Sequence, residues 1–178
     1  MRTAIMALLC LLVMGGTAPA KDAAQDAPPG MVPLQVKDVL LVDDVPAVLL
    51  LDRPGQRYLL MFVDFLMATA IRTGMDGPQL ERPLTHDLIG ILVRRLGARF
   101  TRVTITRLKD STYYALLSVQ VNASGEVLDI DVRPSDAIAI AVRNHIPIFA
   151  AEGLLQPIQH GLPAPTPPAG GSPPKGQT

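Results

Sequence analysis

The chain has 178 residues, with 16 Lys+Arg against 16 Asp+Glu, so its formal net charge is zero. That balance argues against a histone-like or tail-driven nucleic-acid binder, which carries a large basic excess. Apolar residues make up 48% of the chain, enough to bury one core; the lack of Trp argues against an aromatic base-stacking platform, and one Cys with three His excludes an internal disulfide and a Cys- or His-rich metal site.

Residues 1–20 read as a secretory signal peptide. Arg2 is a short positive start, Ala4 to Met14 is an unbroken apolar run, and Ala18-Pro19-Ala20 offers small residues for cleavage before Lys21. The run is too short to span a bilayer, so the expectation is a periplasmic or secreted protein with no stable membrane anchor after cleavage. Residues 21–33 read as a linker and 34–156 as one folded domain. Residues 157–178 hold seven Pro and four Gly, which suits an extended or disordered tail.

Within the domain, Val36 to Val42, Val48 to Leu51 and Arg57 to Phe62 read as strands. Asp43-Asp44 ends the first, and Arg53-Pro54-Gly55-Gln56 forms a turn. Asp64 to Arg72 is expected to be helical, stopping at Gly74. Thr85 to Leu96 is an amphipathic helix: Leu88, Leu92 and Leu96 recur every four residues, Arg94 and Arg95 lie near its end and Gly97 stops it.

The first pattern then returns. Phe100 to Arg107 alternates Val103 and Ile105 with Thr104 and Thr106. Lys109-Asp110-Ser111 is a turn, and Tyr113 to Val121 is a strand. Asn122 to Gly125 is a hairpin turn, Glu126 to Val132 a strand and Ser135 to Asn144 a helix. Pro147 to Ala150 offers a last short strand. Placing Arg72 over Arg143 sets an offset of 71. The repeated order, three strands then a helix, points to an internal duplication. The expected class is α+β: a duplicated three-strand-plus-helix unit forming a twisted, mostly antiparallel sheet with about three helices.

Two segments and one stretch can carry chemistry. In Glu81-Arg82-Pro83-Leu84-Thr85-His86-Asp87, Thr85 is placed to cap the helix and Asp87 falls in its first turn. His86 is then exposed beside a carboxylate, where a general base or metal ligand can sit; the structural alternative is a well-capped helix start. In Asp129-Ile130-Asp131-Val132-Arg133-Pro134-Ser135-Asp136, alternation puts Asp129, Asp131 and Arg133 on one strand face, with Ser135 or Asp136 opening a helix. Two carboxylates, an Arg and helical N–H groups suit a divalent metal and a phosphate. The alternative is capping, with Arg133 paired to a carboxylate. From Arg94 to Lys109 there are six basic residues and no acid, a stretch able to track phosphates or simply to face solvent. P-loop, G-x-S-x-G, H-E-x-x-H and C-x-x-C motifs are absent.

Glu81-Arg82-Pro83-Leu84-Thr85-His86-Asp87-Leu88 and Arg133-Pro134-Ser135-Asp136-Ala137-Ile138-Ala139-Ile140-Ala141 resemble the bifunctional nuclease domain family. Pro147-Ile148-Phe149 and Glu152 extend the resemblance, which covers about residues 34–156. It implies an α+β duplication with a coiled sheet, often dimeric, and cleavage of both DNA and RNA. Where the family commonly carries Gly-Glu-x-Glu-Ala, this chain has Val63-Asp64-Phe65-Leu66-Met67, so Asp64 keeps one carboxylate and Leu66 replaces the second.

The resulting expectation is an exported nuclease that hydrolyses phosphodiester bonds. His86, Asp87 and Asp136 are its catalytic candidates. Arg82, Arg133, Ser135 and Arg143 are the substrate-binding candidates. Asp64, Asp131 and Asp136 would hold a divalent metal, Mg2+ or Mn2+. The expected partners are nucleic acid and a second copy in a homodimer. The alternative is a non-catalytic periplasmic binding or assembly module on the same fold.

Overall fold

A computed structural model describes residues 27–77 and 81–158. The expected signal peptide, the first part of the linker and all but the start of the Pro-rich tail lie outside the described residues. The elements run in the order β1 (Met31–Val42), β2 (Val45–Asp52), β3 (Arg57–Phe62), α1 (Phe65–Asp76), α2 (Thr85–Arg95), β4 (Ala98–Lys109), β5 (Thr112–Val121), β6 (Val127–Val132), α3 (Pro134–Asn144), β7 (Ile148–Ala151) and β8 (Gln156–Pro157). The strands form one sheet in the order β6-β5-β4-β7-β1-β2-β3-β8. Every pair is antiparallel except β4 with β7. This is the expected α+β class with three helices.

The duplication is visible in the turns as well as in the order. Asp43 and Asp44 join β1 to β2, and Asp110 and Ser111 join β4 to β5. All four have positive φ, the pattern of a two-residue type I′ hairpin, whose twist matches that of the flanking strands. The helices open at Phe65 and Pro134, so their offset is 69, not the 71 obtained by laying Arg72 over Arg143.

Sheet order alone would keep β3 and β6 apart. Six steps of about 4.8 Å would separate them by roughly 29 Å in a flat sheet. Yet the ends of both strands line one cleft, with Met61 to Asp64 facing Asp131 to Ser135. The sheet is therefore strongly curled. Bulges bend β1 between Val36 and Asp38, and β4 between Phe100 and Arg102 and between Ile105 and Arg107. These two strands flank the central β7, where added bending has most effect.

The helices fill the curl. Ala137 to Ala141 of α3 are all buried, as a helix apolar on every side must be. They pack with Val48, Leu50, Leu59, Val103, Ile105 and Leu117 from the sheet and Ile71 from α1. Arg133 Nη2 approaches Met67 Sδ, while Gly74 abuts Val142. His86 meets Asp136, while Arg94 meets Asn144. α1 thus runs parallel to α3 with their N-termini together, whereas α2 crosses them: His86 reaches Asp136 near the start of α3, but Asp87 meets Arg143 and Gly90 abuts Asn144 near its end.

Three boundaries differ from expectation. Strand β1 opens at Met31, not Val36, because Met31 to Leu34 pair with β7; the fold begins inside the segment read as linker. Gly74 does not stop α1, which continues to Asp76 and ends at Gly77 with φ 62°. Gln156-Pro157 pair with β3, so the expected tail contributes its first residue to the sheet.

Candidate functional site

Each helix start carries one carboxylate, and each carboxylate already has a structural partner. Asp64 is the N-cap of α1, and its Oδ1 accepts from Met67 N at 2.8 Å. For α2 the N-cap is Leu84 rather than Thr85; Leu84 offers no side-chain acceptor, and Asp87 Oδ2 reaches back to accept from Leu84 N at 2.9 Å. For α3 the N-cap is Arg133 and Pro134 is the first helical residue. Asp136 then sits in the first turn, where the helix dipole favours an anion.

Asp136 joins the two motifs. Its Oδ2 accepts from Arg133 Nε at 2.6 Å and its Oδ1 from Arg133 Nη2 at 3.1 Å, a bidentate pair. His86 Nε2 lies 3.5 Å from Asp136 Oδ1, an electrostatic contact looser than an optimal hydrogen bond. Burial pushes the Asp136 carboxyl up, but the Arg133 bonds and charge, followed by His86, outweigh it and leave it below the usual carboxylate range. Arg133 is correspondingly held more firmly charged, chiefly by its bond to Asp136. His86 is not exposed as expected: its side chain is only 13% accessible because α2 packs against α3.

Of the other expected site residues, Arg143 lines the same cleft as His86 and Asp136, and Arg82, Ser135, Asp64 and Asp131 lie outside it. Asp87 and Arg143 pair with each other, Arg143 Nε lying 2.9 Å from Asp87 Oδ1. Arg143 is 7% accessible and also donates to Ala139 O, so it is not free to meet a phosphate in this arrangement. Arg82 is exposed before α2, and Ser135 lines a neighbouring cleft with Asp64, Asp131 and Tyr113.

The three proposed metal carboxylates do not all converge: Asp64 and Asp131 line one cleft and Asp136 the other. Ile130 and Val132 pair with Leu117 and Ala115 on the core-facing side of the sheet, which leaves Asp129 and Asp131 on the opposite face. Asp129 accepts from Ser118 Oγ there. Asp136 faces the helices, and Asp64 caps α1. Among the described residues, no three His, Cys, Asp or Glu side chains form a metal-holding group. The donor set therefore does not fit the divalent ion expected from sequence. In the basic stretch, Arg94 donates to Asn144, Arg99 to Gln120, and Arg107 lies over the Tyr114 ring.

Sequence reasoning missed the cleft beside His86. A cavity of about 820 Å3 opens between α1 and α2, floored by α3 and β4 to β6. His86, Arg133 and Asp136 lie on its wall with Met67, Ala70, Ile89, Phe100 and Ile140. It also missed Gly74. A Cβ there would come within 2.6 Å of Val142 Cγ2 and 2.7 Å of Arg143 Nη1. A lone Gly inside a helical pattern was the available signal, because such a residue often marks close packing.

The molecule is thus an α+β protein whose curled sheet wraps three helices and sets a His-Asp-Arg group beside an apolar cleft. The chain belongs to the bifunctional nuclease domain family, whose model matches residues 48–162. It is 38% identical over 110 residues to the uncharacterized protein Rv1829 of Mycobacterium tuberculosis strain H37Rv, covering 62% of this chain and 64% of that protein. It is 32% identical over 105 residues to Bifunctional nuclease 1 of Arabidopsis thaliana, covering 58% of this chain and 32% of that protein. The match to Bifunctional nuclease 2 of the same plant is 34% over 80 residues, covering 44% of this chain and 24% of that protein. The chain thus spans just under two thirds of the mycobacterial relative and a third or less of the plant ones.

Proposed function

We propose that the protein is a nuclease that cleaves phosphodiester bonds in DNA and RNA at the His86-Asp136-Arg133 group. The observation that carries the reading is the meeting of the two motifs: His86 from α2 and Arg133 from the start of α3 share Asp136 beside a cleft. The relatives named as bifunctional nucleases support the class of reaction.

Asp136 facing Nε2 favours the Nε2–H tautomer of His86 and leaves Nδ1 to accept a proton. In this reading Nδ1 takes the proton of the attacking water or, in RNA, of the 2′-hydroxyl as its oxygen bonds to phosphorus; the scissile P–O bond breaks, and the leaving oxygen takes a proton from solvent. Arg133 keeps Nε and Nη2 on Asp136 and turns Nη1 to a nonbridging phosphate oxygen. Asp136 orients both groups.

A second reading has its own support. Asp64, Asp87 and Arg143 all have structural partners, and Leu66, at the position of the family's second carboxylate, is 78% exposed. A non-catalytic module would retain these contacts. The test is incubation of purified residues 21–178 with quenched-fluorophore single-stranded DNA and RNA under Mg2+, Mn2+ or EDTA, with Asp136→Ala in parallel. Cleavage by the wild type alone supports the nuclease. No cleavage by folded wild type, or equal cleavage by both, rejects it. The cation arms read metal dependence directly.

We place the mature protein outside the cytoplasm on the strength of Arg2 and the apolar run Ala4 to Met14; N-terminal sequencing after export should begin at Lys21. We place a homodimer contact on edge strand β6, where Val127, Leu128 and Ile130 are each nearly half exposed. Sedimentation of wild type against Leu128→Lys tests it, with a monomeric variant expected.

A further inference from the structure

We propose that the apolar cleft beside His86 seats one unpaired nucleobase, so that the scissile strand must be single-stranded at the point of cleavage. This inference rests on the nuclease reading and deepens it. The cleft volume, about 820 Å3, falls in the range of roughly 300–1,000 Å3 that holds a small organic ligand. The wall is contiguous with the reacting group: His86, Arg133 and Asp136 stand at the same cavity as Met67, Ala70, Ile89, Phe100 and Ile140.

A phosphodiester has no apolar part, and a charged backbone gains nothing from aliphatic walls. The part of a nucleotide that suits them is the face of its base, since every base presents a π surface whatever its sequence. Thr73 and Thr85 add hydroxyls to the same wall, able to meet a base edge. With phosphate at Arg133, an attached base reaches the cleft only after leaving its stack. A paired base must first be extruded at an energetic cost, whereas an unpaired one enters directly. The chain contains no Trp and has few aromatics, which fits a pocket for one base better than a platform for several.

The experiment compares cleavage of a single-stranded DNA, its perfect duplex, and that duplex with one bulged nucleotide. The expected result is cleavage of the single strand and of the bulge at its unpaired position, with the duplex at least about tenfold slower. Equal rates on duplex and single strand would overturn the proposal. Thr69→Trp adds bulk at an exposed position on the cleft wall, and it should slow single-strand cleavage at least about tenfold while the protein stays folded by circular dichroism. Ala70→Phe is the second obstructing variant.

Binding is read separately by adenosine 5′-monophosphate titrated against methyl-labelled protein. Shifts of the Ala70, Thr73 and Ile89 methyl signals that Thr69→Trp abolishes support the base site. If those shifts occur but no nucleic acid is cleaved, the nuclease reading fails and the base site stands. If no cleft methyl moves, or self-association alone protects the cleft, the proposal is overturned.

Discussion

Asp52 shows how a single buried acid can be held charged. Its side chain is 2% accessible, and it accepts from Gln56 N, Arg57 N and Arg57 Nε at 2.8, 3.0 and 2.9 Å. Burial raises its pKa, but the Arg57 and Gln56 donors together lower it further, so the net direction is down. Asp136 is lowered in the same sense. A depressed carboxylate contributes stability that is fully present above its unfolded value, about 3.9, and is lost as pH falls through the folded value. The urea midpoint should therefore hold above about pH 5 and fall below about pH 4. Asp52→Ala should flatten that fall and cost about 1–3 kcal/mol at neutral pH, because it removes charge-assisted hydrogen bonds to part-buried donors. Gly74→Ala is the complementary case. Its Cβ meets Val142 and Arg143 side chains too closely, so a loss of about 1–3 kcal/mol from overpacking is expected to exceed the gain of about 1 kcal/mol in helix propensity. A urea midpoint at or above the wild-type value would contradict this.

Helices and strands were largely legible because each follows a short-range rule. The alternation around Val103 and Ile105, the four-residue spacing of Leu88, Leu92 and Leu96, and the paired turn residues lie close in sequence. The errors came where a distant element decides. Strand β1 extends to Met31 only because β7 is there to pair with it, and α1 passes Gly74 because that glycine accommodates α3. The same distinction holds in the site. His86 and Asp136 could be picked from their motifs, but Asp131 lies on the wrong face of β6 to join Asp136, and Arg143 turns back to Asp87. At this scale the caps are testable. Asp64→Ala should lower stability by about 0.5–2 kcal/mol through the lost bond to Met67 N, read as a lower urea midpoint with unchanged slope. Arg143→Gln should loosen the junction of α2 and α3, seen as faster amide exchange in the first turn of α2.

The whole molecule carries what the sequence could not show. Pairing order places β3 and β6 far apart, and only the curl returns their ends to a common cleft. The curl also brings the start of α1 beside that of α3 and lays α2 across them, so that motifs about fifty residues apart share one carboxylate: His86 and Arg133 on Asp136. The cleft follows from the same geometry and leaves no contiguous sequence signature. The central claim is that this shared group performs phosphodiester cleavage. Its most direct test is the rate of single-stranded RNA cleavage by wild type and His86→Ala, both purified identically and shown to be folded. The rate of His86→Ala should fall by at least about a hundredfold, within the usual contribution of a general base. Equal rates in the two proteins would contradict it.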